Sequence, residues 1–152
     1  MPPRRFVFDT NIYRYVASHP DFATQIGEDY NRVSASAVVL SELWRAARKK
    51  PARELVERLE RRFEKFIFAP TYRDWREAGE YLATRFPKDG RNPTPELLTA
   101  VRKEQNDVLI ALSSWNKGFV LVTCDEDFEL IRAWAKPSAG SLVKLRAPTA
   151  PL

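Results

Sequence analysis

The sequence predicts an α/β domain, a mainly parallel sheet covered by helices on both faces. Three observations point there. Short unbroken runs of aromatic and β-branched residues recur along the chain, each suited to a strand buried on both faces. Segments with helical apolar spacing separate these runs, an alternation that calls for right-handed crossovers. The 152 residues, 44% hydrophobic and 12% aromatic, suit one ordinary domain with a single core.

Phe6-Val7-Phe8 is the first strand. It ends in Asp9, Thr10 and Asn11, all good helix N-cap types, and Ile12 to Ala17 reads as a helix. Ser18-His19-Pro20-Asp21 breaks the pattern, and Phe22 to Tyr30 has room for one more helical turn. Arg32 to Ala35 is a short strand. Ser36 caps a helix through Lys49, with Val39, Leu40, Leu43, Trp44 and Ala47 inside. Pro51 opens the next helix, where its missing N–H costs nothing, and Ala52, Leu55, Val56, Leu59, Phe63 and Phe66 form its inner stripe. Phe66 to Ala69 is a strand closed by Pro70.

Tyr72 to Phe86 is helical, with Trp75, Ala78, Tyr81 and Leu82 facing in. A turn-rich loop over residues 87–93 leads to a long helix from Pro95 or Glu96 to about Ser114, carrying Leu98, Val101, Val108 and Leu112, and Gly118 ends it. Phe119 to Thr123 is the second strong buried strand, Asp125 to Ala135 a helix, and Ser141 to Leu145 the last strand. The domain is expected to span residues 1–146, with the Pro-rich 147–152 as a frayed tail.

Composition narrows the chemistry. One Cys allows no intrachain disulfide and fits a reducing compartment. With no secretory pattern and no apolar stretch long enough to span a bilayer, a cytoplasmic protein with no membrane partner is expected. The single His19 rules out a two-histidine cleavage of RNA within one chain, and Cys124 alone cannot build a zinc site. There is no Gly-rich phosphate loop and no dinucleotide fingerprint. Net charge is +5, from 25 basic and 20 acidic residues. Gathering several carboxylates into one site would leave the remaining surface more basic still, a profile that suits a polyanion.

The acids themselves show a pattern. Asp9 and Asp125 each follow a buried strand, at the edge where open α/β sheets bind ligands. Glu42 and Asp107 sit inside otherwise apolar helical segments, where carboxylates are awkward. Singly, each has an ordinary reading. Asp9 and Asp125 can cap helices, Glu42 can reach water, and Asp107 can pair with Lys103 four positions earlier. Together, four converging carboxylates would repel one another unless a cation intervenes, and oxygen ligands of this kind suit Mg²⁺ or Mn²⁺. Nine basic residues between Arg45 and Lys65 are interleaved with acids. Arg53–Glu57 and Glu57–Arg61 fall at i,i+4, so a solvated, salt-bridged face is expected there. Arg45 and Arg48, near Glu42, are the better candidates for gripping a polyanion.

Four pieces resemble the PIN domain, and within it the VapC-type toxin ribonucleases: Phe-Val-Phe-Asp-Thr-Asn at 6–11, Ala-Val-Val-Leu-Ser-Glu-Leu at 37–43, Asn-Asp-Val-Leu-Ile-Ala-Leu at 106–112 and Leu-Val-Thr-Cys-Asp-Glu-Asp-Phe at 121–128. The resemblance runs from Phe6 to about Leu145. It implies a three-layer α/β/α fold around a five-stranded, mainly parallel sheet. It implies that Asp9, Glu42, Asp107 and Asp125 are catalytic, with Asp9, Asp107 and Asp125 holding Mg²⁺ or Mn²⁺. Asn11 and Thr123 would support the site, and Asp127 would be an auxiliary acid. It further implies hydrolysis of RNA, a homodimer, and an antitoxin partner that blocks the site; attack by a metal-activated water, which does not use the ribose 2′-OH, would leave 5′-phosphate and 3′-hydroxyl ends. The extra length, around residues 72–104 and in the tail, departs from the family pattern. Alternatives are a housekeeping PIN nuclease without an antitoxin, a non-catalytic RNA- or protein-binding module, and an aspartate-nucleophile phosphatase or receiver domain. The last is disfavoured because Asp9-Thr10-Asn11 lacks the second Asp two positions on.

Overall fold

A computed structural model describes residues 3–26, 32–135 and 140–148. Five strands form one sheet in the order β3-β2-β1-β4-β5, every neighbouring pair parallel. They are β1 (Phe6–Phe8), β2 (Val33–Ser36), β3 (Ile67–Phe68), β4 (Val120–Thr123) and β5 (Ser141–Lys144). The helices are α1 (Thr10–Ser18), α2 (Ala37–Ala46), α3 (Lys50–Phe63), α4 (Tyr72–Arg85), α5 (Pro95–Asn116) and α6 (Asp127–Ala135).

Strand alternation divides the core. Val7 and Leu121 face a cluster built with Ala78, Tyr81, Val108 to Leu112, Phe128 and Ile131, from α4, α5 and α6. Phe8 and Val122 face the other way, onto Ile12, Phe63, Val33 and Ala35, beneath α1 and α3. Helix α2 supplies Val39 to the first cluster and Leu40 to the second. The three-layer α/β/α arrangement around a five-stranded parallel sheet is therefore as expected.

Several boundaries differ. Helix α2 ends at Ala46, not Lys49, because Ala47 leaves helical geometry and Lys49 is extended as the N-cap of α3. A 3₁₀ turn over Glu64–Phe66 shortens β3 to two residues. Phe66 is consequently 45% exposed under the Arg5 guanidinium, 3.9 Å from its ring centre, and not in the inner stripe of α3. Leu55, also predicted inside, is exposed. On α4 the inward place predicted for Trp75 belongs to its neighbour Asp74, which is 2% exposed. The Asp74 carboxylate accepts the Thr71 N–H at 2.7 Å and the Asn116 amide at 2.6 Å, so its burial is satisfied. Leu98 is exposed because the first turns of α5 carry no buried residue. Helix α5 continues to Asn116, and Gly118, at φ 75°, supplies the left-handed turn into β4.

Helix α6 begins at Asp127, so Asp125 lies in the turn before it. In place of helix after Pro20 there is a 3₁₀ segment, Pro20–Gln25. The remainder of that expected turn, residues 27–30, lies outside the described residues, as do residues 149–152 of the expected tail. On α3 the ion pair that forms is Lys50–Glu54 at 3.8 Å. The expected Arg53–Glu57 and Glu57–Arg61 pairs do not form among the described residues, although that face is exposed as predicted. Among the described residues no helix is long and apolar enough to cross a membrane.

Candidate metal centre at the carboxyl edge of the sheet

The chain runs outward from β1 through β2 to β3, then returns to the other side of β1 to lay down β4 and β5. The connection after β1 enters α1 on one face, and that after β4 enters α6 on the other. The two connections diverge, which opens a crevice between the ends of these adjacent strands. Asp9 and Asp125 stand there. A cleft of about 220 Å³ is lined by Asp9, Glu42, Asp107 and Asp125 together with Thr10, Asn11, Ile110 and three cations, Arg14, Arg45 and Lys103. All four acids predicted from sequence are thus brought together.

Each acid is held by its local structure. Asp9 continues the ladder, its N–H donating to the Val122 carbonyl at 3.2 Å, and its side chain caps α1 by accepting the Ile12 N–H at 3.2 Å. Its other oxygen accepts the Thr123 hydroxyl. Thr123 in turn accepts the Asp125 N–H at 2.9 Å, so one hydroxyl ties the ends of β1 and β4 together. Asp125 accepts the Asp127 N–H at 2.9 Å, a side-chain turn that starts α6. Glu42, in the second turn of α2, accepts the Thr10 hydroxyl at 2.7 Å. Asp107 projects from the middle of α5 just before the fully buried run Val108 to Trp115.

The electrostatics match this crowding. Asp9 is 4% exposed, and burial pushes its pKa up to about 6 against the opposing pull of the Thr123 and Ile12 hydrogen bonds, with Asp125 adding to the rise. Asp107 is pushed up to about 8, first by burial and then by the charges of Glu42 and Asp125, while Lys103 acts in the other direction. The Cys124 thiol is raised to about 11 by burial and by Asp9, which leaves it protonated and consistent with a packing role.

Carboxylate oxygens of Asp107, Asp125 and Asp127 lie within 4.8 Å of one another. An all-oxygen, acidic donor set at that spacing, in which burial and the neighbouring carboxylates oppose ionisation of Asp107, fits a hard divalent cation. The expectation placed Asp9 with Asp107 and Asp125 as ligands and Asp127 as an auxiliary. The geometry draws Asp127 into the close group and sets Asp9 beside it, each of its oxygens already accepting one bond yet retaining lone-pair capacity. Asn11 lines the cleft and Thr123 anchors it, whereas Arg45 reaches the cleft and Arg48 is exposed outside its lining.

Sequence reasoning missed Thr10 and Arg14 as members of the cleft and weighed Lys103 only as a surface partner. A signal existed for Arg14 and Lys103. Arg14 follows Thr10 by four residues and Lys103 precedes Asp107 by four, so each shares a helix face with a cleft residue.

Comparison with known proteins agrees with this architecture. The chain resembles VapBC2 from Rickettsia felis bound to a promoter DNA fragment, at 21% identity and TM-score 0.54, over 92% of this chain and 98% of the other. It resembles DNA-bound VapBC from Salmonella typhimurium at 18% identity and TM-score 0.54, over 93% and 98%. A third likeness is to FitAB bound to the IR36 DNA fragment, at 15% identity and TM-score 0.60, over 91% and 94%. At these identities the likeness is one of fold. No curated protein sequence matches the chain. The PIN domain model matches residues 6–133, which take in four of the five strands and all six helices but the last residues of α6, and the chain therefore belongs to the PIN domain family.

Proposed function

We propose that this protein is a divalent-metal-dependent endoribonuclease, the toxin of a toxin–antitoxin pair. The observation that carries the reading is the convergence of Asp9, Glu42, Asp107 and Asp125 from four separate segments on one cleft, with Asp107, Asp125 and Asp127 at metal-binding spacing. Asp107, Asp125 and Asp127 would hold Mg²⁺ or Mn²⁺, with Asp9 completing the anionic wall. A cation bound there would lower the pKa of a coordinated water and offset charge growing on the phosphodiester. Glu42, in the same cleft, would complete the anionic shell around the cation or orient its bound water by hydrogen bonding. Arg14, Arg45 and Lys103, from α1, α2 and α5, rim the acids and receive the flanking phosphates, keeping a polyanion near an otherwise repulsive cleft.

The partner part of the proposal draws on the resemblance to VapC-type toxins and on the solved relatives, which are DNA-bound VapBC assemblies. In this chain an open groove of about 610 Å³ between α2 and α3 is lined by Leu40, Trp44 and Ile67 and edged by Glu60, Arg61 and Glu64. That lining suits an amphipathic partner segment whose basic residues reach the carboxylates.

The test is cleavage of a mixed RNA pool with Mg²⁺, Mn²⁺ or EDTA, alongside Asp9→Asn, with product ends mapped. The proposal expects metal-dependent cutting that leaves 5′-phosphate and 3′-hydroxyl ends and is lost in Asp9→Asn. Products ending in 2′,3′-cyclic phosphate would show that the ribose hydroxyl attacks, and the proposed mechanism would be abandoned.

A further inference from the structure

We propose that Thr10 is a positioning residue for the metal centre, acting solely by orienting the Glu42 carboxylate; this rests on the reading of the cleft as a divalent-cation site. Thr10 is 8% exposed at the first position of α1, and its hydroxyl crosses to α2 to donate to one oxygen of Glu42 at 2.7 Å. The hydroxyl has no capping duty at home, because Asp9 already caps α1 through the Ile12 N–H. Glu42 forms no ion pair among the described residues, so this neutral donor is its fixed point.

The choice of a neutral donor matters. A Lys or Arg in its place would orient Glu42 equally well but would cancel a negative charge that a bound cation needs. A hydroxyl fixes the flexible side chain and leaves its charge intact. It occupies one oxygen of a carboxylate that lines the cleft, and the second oxygen has no hydrogen-bond partner among the described residues. Thr123 treats Asp9 the same way, so two threonines, one at the start of α1 and one at the end of β4, each hold one carboxylate of the site. Outer hydrogen-bond partners of this kind commonly change metal affinity or activity by about 10–100-fold when removed.

The experiment uses the full-length protein and Mn²⁺ alone as the probe, read by electron paramagnetic resonance, with RNA cleavage as a second readout. Wild type, Thr10→Val, Thr10→Ser, Glu42→Ala and the Thr10→Val/Glu42→Ala double variant are compared, with Asp107→Asn as the control for the site. Val keeps the shape and removes the donor, while Ser keeps the donor. We expect about tenfold or greater weakening of Mn²⁺ binding in Thr10→Val, recovery in Thr10→Ser, and no further loss when Thr10→Val is added to Glu42→Ala. Thermal denaturation checks that each variant is folded. If wild type binds Mn²⁺ and Asp107→Asn does not, yet Thr10→Val binds normally, the role of Thr10 is overturned while the metal reading stands. Additive losses in the double variant, or a Ser variant as weak as Val, overturn it too, since Thr10 would then act by packing. A folded wild type that binds no Mn²⁺ overturns the metal reading and this proposal with it.

Discussion

Replacing Asp107 by Asn should make the metal-free protein more stable, not less. Asp107 has its pKa raised from 3.8 to about 8. A carboxyl whose folded pKa lies above its unfolded value adds stability below the unfolded pKa, and that stability is lost as pH rises through the folded one. At pH 7 the unfolded chain has released the proton while the folded chain still holds it. The gap of roughly 3 pH units corresponds to about 4 kcal/mol at 1.36 kcal/mol per unit. Water entering the cleft and movement of Glu42 and Lys103 take back part of this, so about 2 kcal/mol is a working figure for the gain in Asp107→Asn. In a domain of this size that is a rise in Tm of about 4–8 °C. The assay is thermal denaturation in EDTA from pH 5 to 8.5. Wild type should lose stability steadily across the range, Asp107→Asn should fall less, and the two should converge toward pH 5. Adding Mn²⁺ should stabilise wild type at pH 8 and leave the variant unmoved. Should Asp107→Asn lower Tm in EDTA at pH 8, or follow the same pH slope as wild type, the claim that the carboxylates strain the empty cleft is wrong.

Other outcomes follow from the same geometry. Thr123→Val removes the hydroxyl that joins Asp9 to the Asp125 N–H, and should cut RNA cleavage at least tenfold while the far-ultraviolet circular dichroism is unchanged. Asp74→Ala strips an acceptor from the Thr71 N–H and from Asn116 at a buried site, and should cost about 2–3 kcal/mol in urea denaturation without altering which bonds are cut. Arg14→Ala and Arg45→Ala should each reduce the salt dependence of RNA binding, lowering the slope of log K against log salt by about 0.7 for a single strand, whereas Arg48→Ala should not.

What was legible in the sequence was whatever a single segment decides. Phe6 to Phe8 and Phe119 to Thr123 announce buried strands because both faces must be apolar, and the acids that end them announce the edge. Glu42 and Asp107 stood out because a carboxylate in an apolar helical segment needs a reason. What was illegible depended on where one element meets another. Trp75 and Asp74 exchange the expected roles because Asn116, 42 residues away, donates to the buried Asp74 carboxylate. Leu98 and Val101 keep the spacing of an inner stripe, yet among the described residues nothing buries the first turns of α5, so Leu98 is exposed and Val101 only half-buried. Thr10 was readable as a cap residue and nothing more, since its partner lies 32 positions on.

The site divides into two mechanically different halves. Asp9 and Asp125 are fixed by the sheet: their strands pair in register through Phe8 and Val122, and Thr123 couples the carboxylate of one to the backbone of the other. Any chain that forms β1 and β4 must bring those two together. Glu42 and Asp107 come from helices, where each added residue turns the side chain by about 100°. Their arrival depends on helix register, set by Ser36 at the start of α2 and by the buried run Val108 to Trp115 against the sheet. The sheet half can therefore persist through helix movements that would scatter the helical half. This is where an orienting bond has most effect, and Glu42 has one from Thr10. Asp107 has none from a side chain among the described residues and is instead held by the buried stretch that follows it. A cation binding to Asp107, Asp125 and Asp127 would join the helical half to the sheet half, so order in α5 and α6 should increase on metal loading more than order in β1.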